Sequence, residues 1–140
     1  MRIVLDTNCL LYIIFPDSYF NGVWEAFKRQ EYSICITNEI ISEYREIIER
    51  RTGSDLFADY VIRLILSAPN VEKIEPSFRF GLITEDKDDN KFVDCAIAAG
   101  ATYIVSNDKH FKVLDSIDWP KVDRKTLIEF ANILSQKALR

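Results

Sequence analysis

Glycine and proline are scarce, four of each in 140 residues, and no stretch reads as a flexible linker, an internal repeat or a low-complexity tract. Long apolar runs are also missing. The longest, Leu10 to Phe15, is too short to span a bilayer. Arg2 is followed by Ile3-Val4-Leu5, but Asp6 cuts that run short, so no secretory leader and no membrane association are expected. Three cysteines, Cys9, Cys35 and Cys95, make an odd set without metal-ligand spacing. Their apolar neighbours point to buried thiols and a cytoplasmic protein. Nor is there an excess of positive charge: the formal net charge is −4. A module that held RNA by charge alone would normally be basic. An enzyme whose acids carry divalent cations is not excluded, because bound cations would offset the deficit.

What is present is an ordinary globular balance, 48% apolar and 29% charged, which argues against disorder. The length fits one domain over 1–140 with a real hydrophobic core. Residues 2–6 read as a buried first strand ending in an acid, and a helix over about 10–15 is stopped by Pro16. A helix over 21–29 and a strand over 33–36 follow. Thr37 is a natural N-cap for a helix over 38–51, and Ser54 for the next, to about 67. A third strand covers 71–74, and a polar loop over 75–88 leads to a helix over 89–99 that Gly100 closes. The fourth strand is 101–105. A last strand near Val122 precedes a helix from about Arg124. This alternation predicts an α/β fold with parallel pairing and helices on both faces, in which ligands bind beyond the carboxyl ends of the strands.

Acidic residues gather there. Asp6 is the first polar side chain after strand 1, and Asp108 follows strand 4 after Ser106 and Asn107. At about 100° per residue, the 38–51 helix has an apolar stripe of Ile40, Ile41, Tyr44, Ile47 and Ile48. Glu43 is the acid nearest that stripe, and on this helix alone a rim glutamate snorkelling to water is the preferred reading. In the 89–99 helix, Asp89 lies within the stripe of Phe92, Val93, Ala96 and Ile97, whereas Asp94 falls on the far side. A core-facing carboxylate needs a partner. A helix N-cap would serve Asp89 about as well as a ligand. Asp86 and Asp88 read as a solvated acidic loop. Converging carboxylates repel by roughly 4 kcal/mol per pair at about 4 Å and an effective dielectric near 20, and no Lys or Arg is obviously placed to neutralise all four. A hard divalent cation would do so, and carboxylate oxygens suit Mg²⁺.

These segments resemble the PIN-domain family from the first strand to the last helix. The resemblance is carried by Ile3-Val4-Leu5-Asp6-Thr7-Asn8, by Thr37-Asn-Glu-Ile-Ile-Ser-Glu43, by Asp88-Asp89-Asn-Lys-Phe92 with Ala96 and Ala98-Ala99-Gly100-Ala101, and by Tyr103-Ile-Val-Ser-Asn-Asp108-Lys-His-Phe111. It implies a three-layer α/β/α sandwich with a mostly parallel sheet of about five strands. It also implies a metal-dependent endoribonuclease that cuts single-stranded RNA, with Asp6, Glu43, Asp89 and Asp108 holding one or two Mg²⁺ or Mn²⁺ ions. The Asp-Asp-Asn-Lys-Phe pattern is most similar to the VapC-like branch of toxins in toxin–antitoxin pairs, which implies a small antitoxin partner and a homodimer. The fourth segment departs from the pattern of many relatives, so either Asn107 or Asp108 faces the metal, with Asp108 preferred for its charge. Thr7, Asn8, Ser106 and Asn107 are candidates for orienting the carboxylates.

Other residues have blander readings. His110, the sole histidine, reads as a surface residue. Lys91 and Lys109 read as phosphate contacts or as a solvated face, and Arg45, Arg50 and Arg51 as a basic cluster at a helix end that could steer RNA. Trp24, Trp119, Phe20 and Phe27 are assigned to the core or a dimer contact; Tyr12 and Phe15 are candidates for base stacking. Three other functions compete. A haloacid-dehalogenase-like phosphatase also begins with an Asp after strand 1, but needs a second Asp where Asn8 stands. A receiver domain needs an Asp ending strand 3, where Ile74-Glu75 stands. An inactive PIN-like interaction module is the third.

Overall fold

In the computed structural model, which describes residues 1–139, Ile3, Val4 and Leu5 are all fully buried. Successive strand residues point to opposite faces, so strand β1 (Arg2–Leu5) must be covered on both sides. It is the middle strand of a five-stranded, all-parallel sheet with β2 (Ser33–Ile36), β3 (Val71–Lys73), β4 (Tyr103–Val105) and β5 (Arg124–Lys125), in the order β3-β2-β1-β4-β5. Helices α1 (Thr7–Ile13), α2 (Asn21–Lys28), α3 (Asn38–Thr52), α4 (Asp55–Ser67), α5 (Asn90–Ala99) and α6 (Leu127–Ala138) complete a three-layer α/β/α sandwich. Short 3-10 segments cover Lys87–Asp89 and Lys109–Ser116.

The chain order fixes where a site can form. It steps from β1 outward to β3, then returns through α5 to β4 on the other side of β1. The direction of winding reverses between β1 and β4, and the crevice at the carboxyl ends of two such strands is open to a ligand. Leu5 is in register with Val105, so Asp6 and Ser106 emerge side by side at that crevice.

Local signals hold where a cap defines them. Thr37 accepts from the Ile40 amide at 3.1 Å and Ser54 from the Phe57 amide at 3.0 Å. Gly100 ends α5 with φ +60°, a left-handed conformation that a Cβ would penalise. Boundaries differ elsewhere. The first helix starts at Thr7, directly after Asp6, rather than near residue 10. The last strand is Arg124–Lys125, not near Val122, whose burial supplied the apolar signal without ladder pairing. The final helix therefore starts at Leu127, behind a capping box in which Thr126 and Glu129 satisfy each other's backbone amides. Asp94 is also corrected. It lies off the apolar stripe yet is buried, because the loop over residues 75–86 folds across it and the Phe80 amide donates to its Oδ1 at 3.1 Å. Asn90 pins the same loop, accepting from the Ile83 amide and donating to the Ile83 carbonyl, both at 2.9 Å.

All three cysteines are buried and unpaired. Trp24 and Phe27 stack in the core, while Trp119 is exposed and takes no part in it. Phe15 stacks on Phe57, and Tyr12 stays exposed. No helix among the described residues is long and apolar enough to cross a membrane.

Candidate functional site

At the β1–β4 crevice the Asp6 carboxylate is 7% exposed. The Ser106 hydroxyl donates to its Oδ2 at 2.8 Å and accepts from the Asp108 amide at 3.0 Å. One hydroxyl thus fixes the first acid and the backbone that presents the last. Asp108 caps the following 3-10 turn by accepting from the His110 amide at 2.9 Å, and that tight turn carries the imidazole back over the carboxylates. Asn107 points elsewhere: its Oδ1 accepts from the Leu127 amide at 2.9 Å and secures the start of α6. Asn8 is exposed and makes no side-chain hydrogen bond among the described residues.

Glu43 is brought in by α3. Tyr44, fully buried beside it, donates its hydroxyl to the Leu5 carbonyl, which clamps α3 to the end of β1. The Thr7 hydroxyl donates to Glu43 Oε2, and Lys91 Nζ lies 2.6 Å from Oε1 and 2.9 Å from Asp88 Oδ2. Glu43 is therefore a held carboxylate rather than a rim residue in water. The Lys91 side chain is only 10% exposed, so its reading as a solvated face is corrected. Burial alone would lower its pKa, but hydrogen bonds to Glu43 and Asp88 outweigh that and raise it.

Asp89 ends the short 3-10 segment and stands at the N-cap position of α5 without making a side-chain cap hydrogen bond. The capping alternative is thereby removed. Its Oδ2 and the His110 Nδ1 are both buried without a hydrogen-bond partner among the described residues. They face each other at 3.5 Å, and Asp108 Oδ1 lies 3.4 Å from the same nitrogen. On the other edge of the ring, Glu85 Oε2 lies 3.2 Å from Nε2. His110 is thus no free surface residue. Ligand atoms of Asp86, Asp89 and His110 all lie within 4.8 Å of one another. Sequence reasoning named Asp89 but missed its grouping with Asp86 and His110, because neither the 3-10 turn after Asp108 nor the fold of the 75–88 loop has a periodic signature.

The acids act on one another electrostatically. Burial, with the charges of Glu43 and Asp108, pushes the Asp6 carboxyl up to about 6 against the pull of Ser106. Burial, with the charges of Asp86, Asp6 and Asp108, does the same for Asp89, also to about 6. Two carboxyls from residues far apart in sequence are raised by a common field, which a cation would relieve. The donor set of carboxylate oxygens and one imidazole, two of its atoms orphaned, fits a divalent metal. Concavity is a poor guide here. A well-formed apolar groove of about 390 Å³ lies between α2 and α6, lined by residues such as Phe20, Val23, Ile128 and Leu134, and includes none of these acids.

A family model described as PIN domain matches residues 2–110, a span that contains every acid of this crevice. The chain belongs to the PIN-domain family. No curated protein sequence matches it significantly. Among solved structures, it is similar to VapBC2 from Rickettsia felis, solved bound to a DNA fragment from their promoter. The identity is 23%, the match covers 90% of this chain and 98% of that one, and the TM-score is 0.61. It is also similar to the T. brucei RRP44 PIN domain at 13% identity, covering 99% of this chain and 83% of that one, with a TM-score of 0.54. At such identities the likeness establishes the PIN fold and nothing finer. The strand-end acid, the helix glutamate and the family expected from sequence all sit within the matched span.

Proposed function

We propose that this PIN-domain protein is an endoribonuclease that cuts single-stranded RNA using one or two Mg²⁺ or Mn²⁺ ions held by Asp6, Glu43, Asp89 and Asp108. The observation that carries the reading is Asp89. Its carboxylate is half-buried with one inaccessible, orphaned oxygen, leaves its own helix uncapped, and is pushed up to about 6 by burial and by Asp86, Asp6 and Asp108. An arrangement this unfavourable to the empty protein is expected where a cation binds. A bound divalent ion would supply an activated water and charge stabilisation for hydrolysis of a phosphodiester.

The chain's own residues then have distinct tasks. Ser106 orients Asp6, Thr7 orients Glu43, and Tyr44 sets the distance between α3 and β1. Lys91 holds Glu43 in place. Lys87 and Lys109, both exposed and next in sequence to Asp88 and Asp108, would meet RNA phosphates. Of the arginines, Arg45 is paired with Asp59 and Glu49 and Arg50 with Glu46, which leaves them less suited to that task. The resemblance to VapC-like sequences, together with the fold shared with VapBC2, supports a cytoplasmic toxin restrained by a small antitoxin and working as a homodimer.

The decisive experiment incubates the purified protein with an unstructured RNA and Mn²⁺ or Mg²⁺. Cleavage should stop on addition of EDTA, and Asp6→Asn and Asp89→Asn should each abolish it without loss of folding. Activity that survives EDTA, or full activity in Asp89→Asn, would remove the proposal. Phosphate release from p-nitrophenyl phosphate without RNA cleavage would instead favour the phosphatase.

A further inference from the structure

Histidine is not required by an all-carboxylate metal centre, yet His110 is turned into this one. Its Nδ1 is inaccessible, lacks a hydrogen-bond partner among the described residues, and faces the orphaned Oδ2 of Asp89 and the Oδ1 of Asp108. At 3.5 Å and 3.4 Å these separations are too long for good hydrogen bonds. The opposite ring nitrogen faces the Glu85 carboxylate at 3.2 Å. A proton on Nε2 directed at Glu85 leaves a lone pair on Nδ1 directed at carboxylate oxygens. Acceptors facing acceptors repel, so either a second ring proton or a bound cation must lie between them, and the cation serves all three groups at once. A carboxylate behind the far nitrogen is also the usual support of a metal-bound imidazole, since it fixes the tautomer and strengthens the donor. Asp86 adds an exposed carboxylate to the same cluster.

We propose that His110 and Asp86 are metal ligands in addition to Asp89, that Glu85 holds the imidazole for that purpose, and that the nitrogen donor makes the site favour transition-metal ions over Mg²⁺. This rests on the metal-dependent reading above and specifies the ion it uses. Mg²⁺ is a hard ion that keeps oxygen ligands and water, whereas imidazole is a good donor to first-row transition metals. The loop is pinned to α5 at Phe80 by Asp94 and at Ile83 by Asn90, which brings the exposed carboxylates of Glu85 and Asp86 to the rim of the centre.

The test is the Mn²⁺ complex of the full chain, followed by electron spin-echo spectroscopy and by titration with Mn²⁺ and with Mg²⁺. The wild type should show a directly coordinated ¹⁴N, and His110→Gln should lose that signal. The variant should bind Mn²⁺ roughly tenfold or more weakly, while Mg²⁺ affinity changes less than about twofold. Melting of His110→Gln in EDTA checks that it folds. Glu85→Gln should keep the nitrogen signal with weaker Mn²⁺ binding. Bound Mn²⁺ without nitrogen coupling in the wild type, or undiminished Mn²⁺ affinity in His110→Gln, overturns this inference and leaves the carboxylate centre standing. If the wild type binds no Mn²⁺ or Mg²⁺ at all, the metal-dependent reading falls together with it.

Discussion

Ser106 Oγ donates to Asp6 Oδ2 at 2.8 Å across the junction of two parallel strands that lie a hundred positions apart in sequence. The same oxygen accepts the Asp108 amide, so the hydroxyl sets the spacing of two proposed ligands at once. Ser106→Ala removes both bonds but no charge. RNA cleavage is expected to fall about 10- to 100-fold, the usual effect of losing a group that orients a ligand. Thermal stability should drop by only about 1 kcal/mol, since one buried hydrogen bond pair is lost. Unchanged cleavage by Ser106→Ala in a metal-saturated assay would show that Asp6 needs no such support.

The burial of Asp6, with the charges of Glu43 and Asp108 beside it, leads to an expectation of opposite sign. Its folded-state pKa of about 6 lies above the ordinary carboxylate value of 3.8, so the native protein binds the proton more tightly than the unfolded chain does. Ionised Asp6 therefore destabilises the metal-free protein above about pH 6, and that cost disappears below about pH 4. Asp6→Asn in EDTA should melt higher than the wild type at pH 7.5, by about 1–3 kcal/mol, and equally at pH 4. Adding Mn²⁺ should reverse the order at pH 7.5, because only the wild type gains from the ion. Calorimetry at the two pH values decides it; a variant less stable than wild type in EDTA at pH 7.5 contradicts the electrostatic account.

Asp6 and Asp89 are both pushed up to about 6, so a cation entering below that pH must displace protons. Without metal, their contribution to stability declines as pH rises from about 4 to about 6 and then levels off. With saturating Mn²⁺, the gain in melting temperature should be small at pH 5 and full by about pH 7.5. Proton release on Mn²⁺ binding, measured by calorimetry in two buffers, should be evident near pH 6 and fall away above about pH 7.5. A Mn²⁺ effect that is the same at pH 5 and pH 7.5 would show that these carboxyls are not displaced by the ion.

Lys91 supplies the only close cation on Glu43 among the described residues, at 2.6 Å, with a side chain that is 10% exposed against 20% for its partner. Removing one member of such a pair leaves a half-buried charge uncompensated. Lys91→Met should destabilise the metal-free protein by about 1–2 kcal/mol, the lower part of the range for buried pairs because solvent still reaches the site. Mn²⁺ should recover most of that loss by taking over the role of counter-ion. An unaltered melting temperature in EDTA would show that Glu43 does not depend on Lys91.

What could be read from sequence tracks the range of the forces involved. Helix caps at Thr37 and Ser54, and the left-handed turn at Gly100, are local and were legible. So were the strand-end positions of Asp6 and Asp108, which follow from apolar runs and chain order. The family and the parallel sandwich followed from the same order of segments. The surroundings of His110, Lys91 and Asp94 were not legible. A helical wheel assigns each side chain to a face but says nothing of what covers that face. For Asp94 and Lys91 the cover is an irregular loop and a neighbouring helix. For His110 the cause is a 3-10 turn whose only sequence signal was the cap at Asp108, two residues before it. The place of the Asn107 side chain needed the third dimension as well, because it is taken up by the start of α6.

Tyr44 offers a test of positioning without touching any acid. Its ring is fully buried, and its hydroxyl donates to the Leu5 carbonyl immediately before Asp6. Tyr44→Phe keeps the packing and deletes that bond, leaving a buried carbonyl with one donor fewer. A stability cost of about 1–2 kcal/mol is expected. Because α3 is then less firmly tied to β1, Glu43 should lose precision relative to Asp6, and cleavage at saturating Mn²⁺ should fall several-fold. Metal affinity and rate should decline together if the tie acts by holding the two carboxylates in register. A variant that loses stability but retains both would show that Thr7 and Lys91 suffice to place Glu43, and Tyr44 would then be a core residue alone.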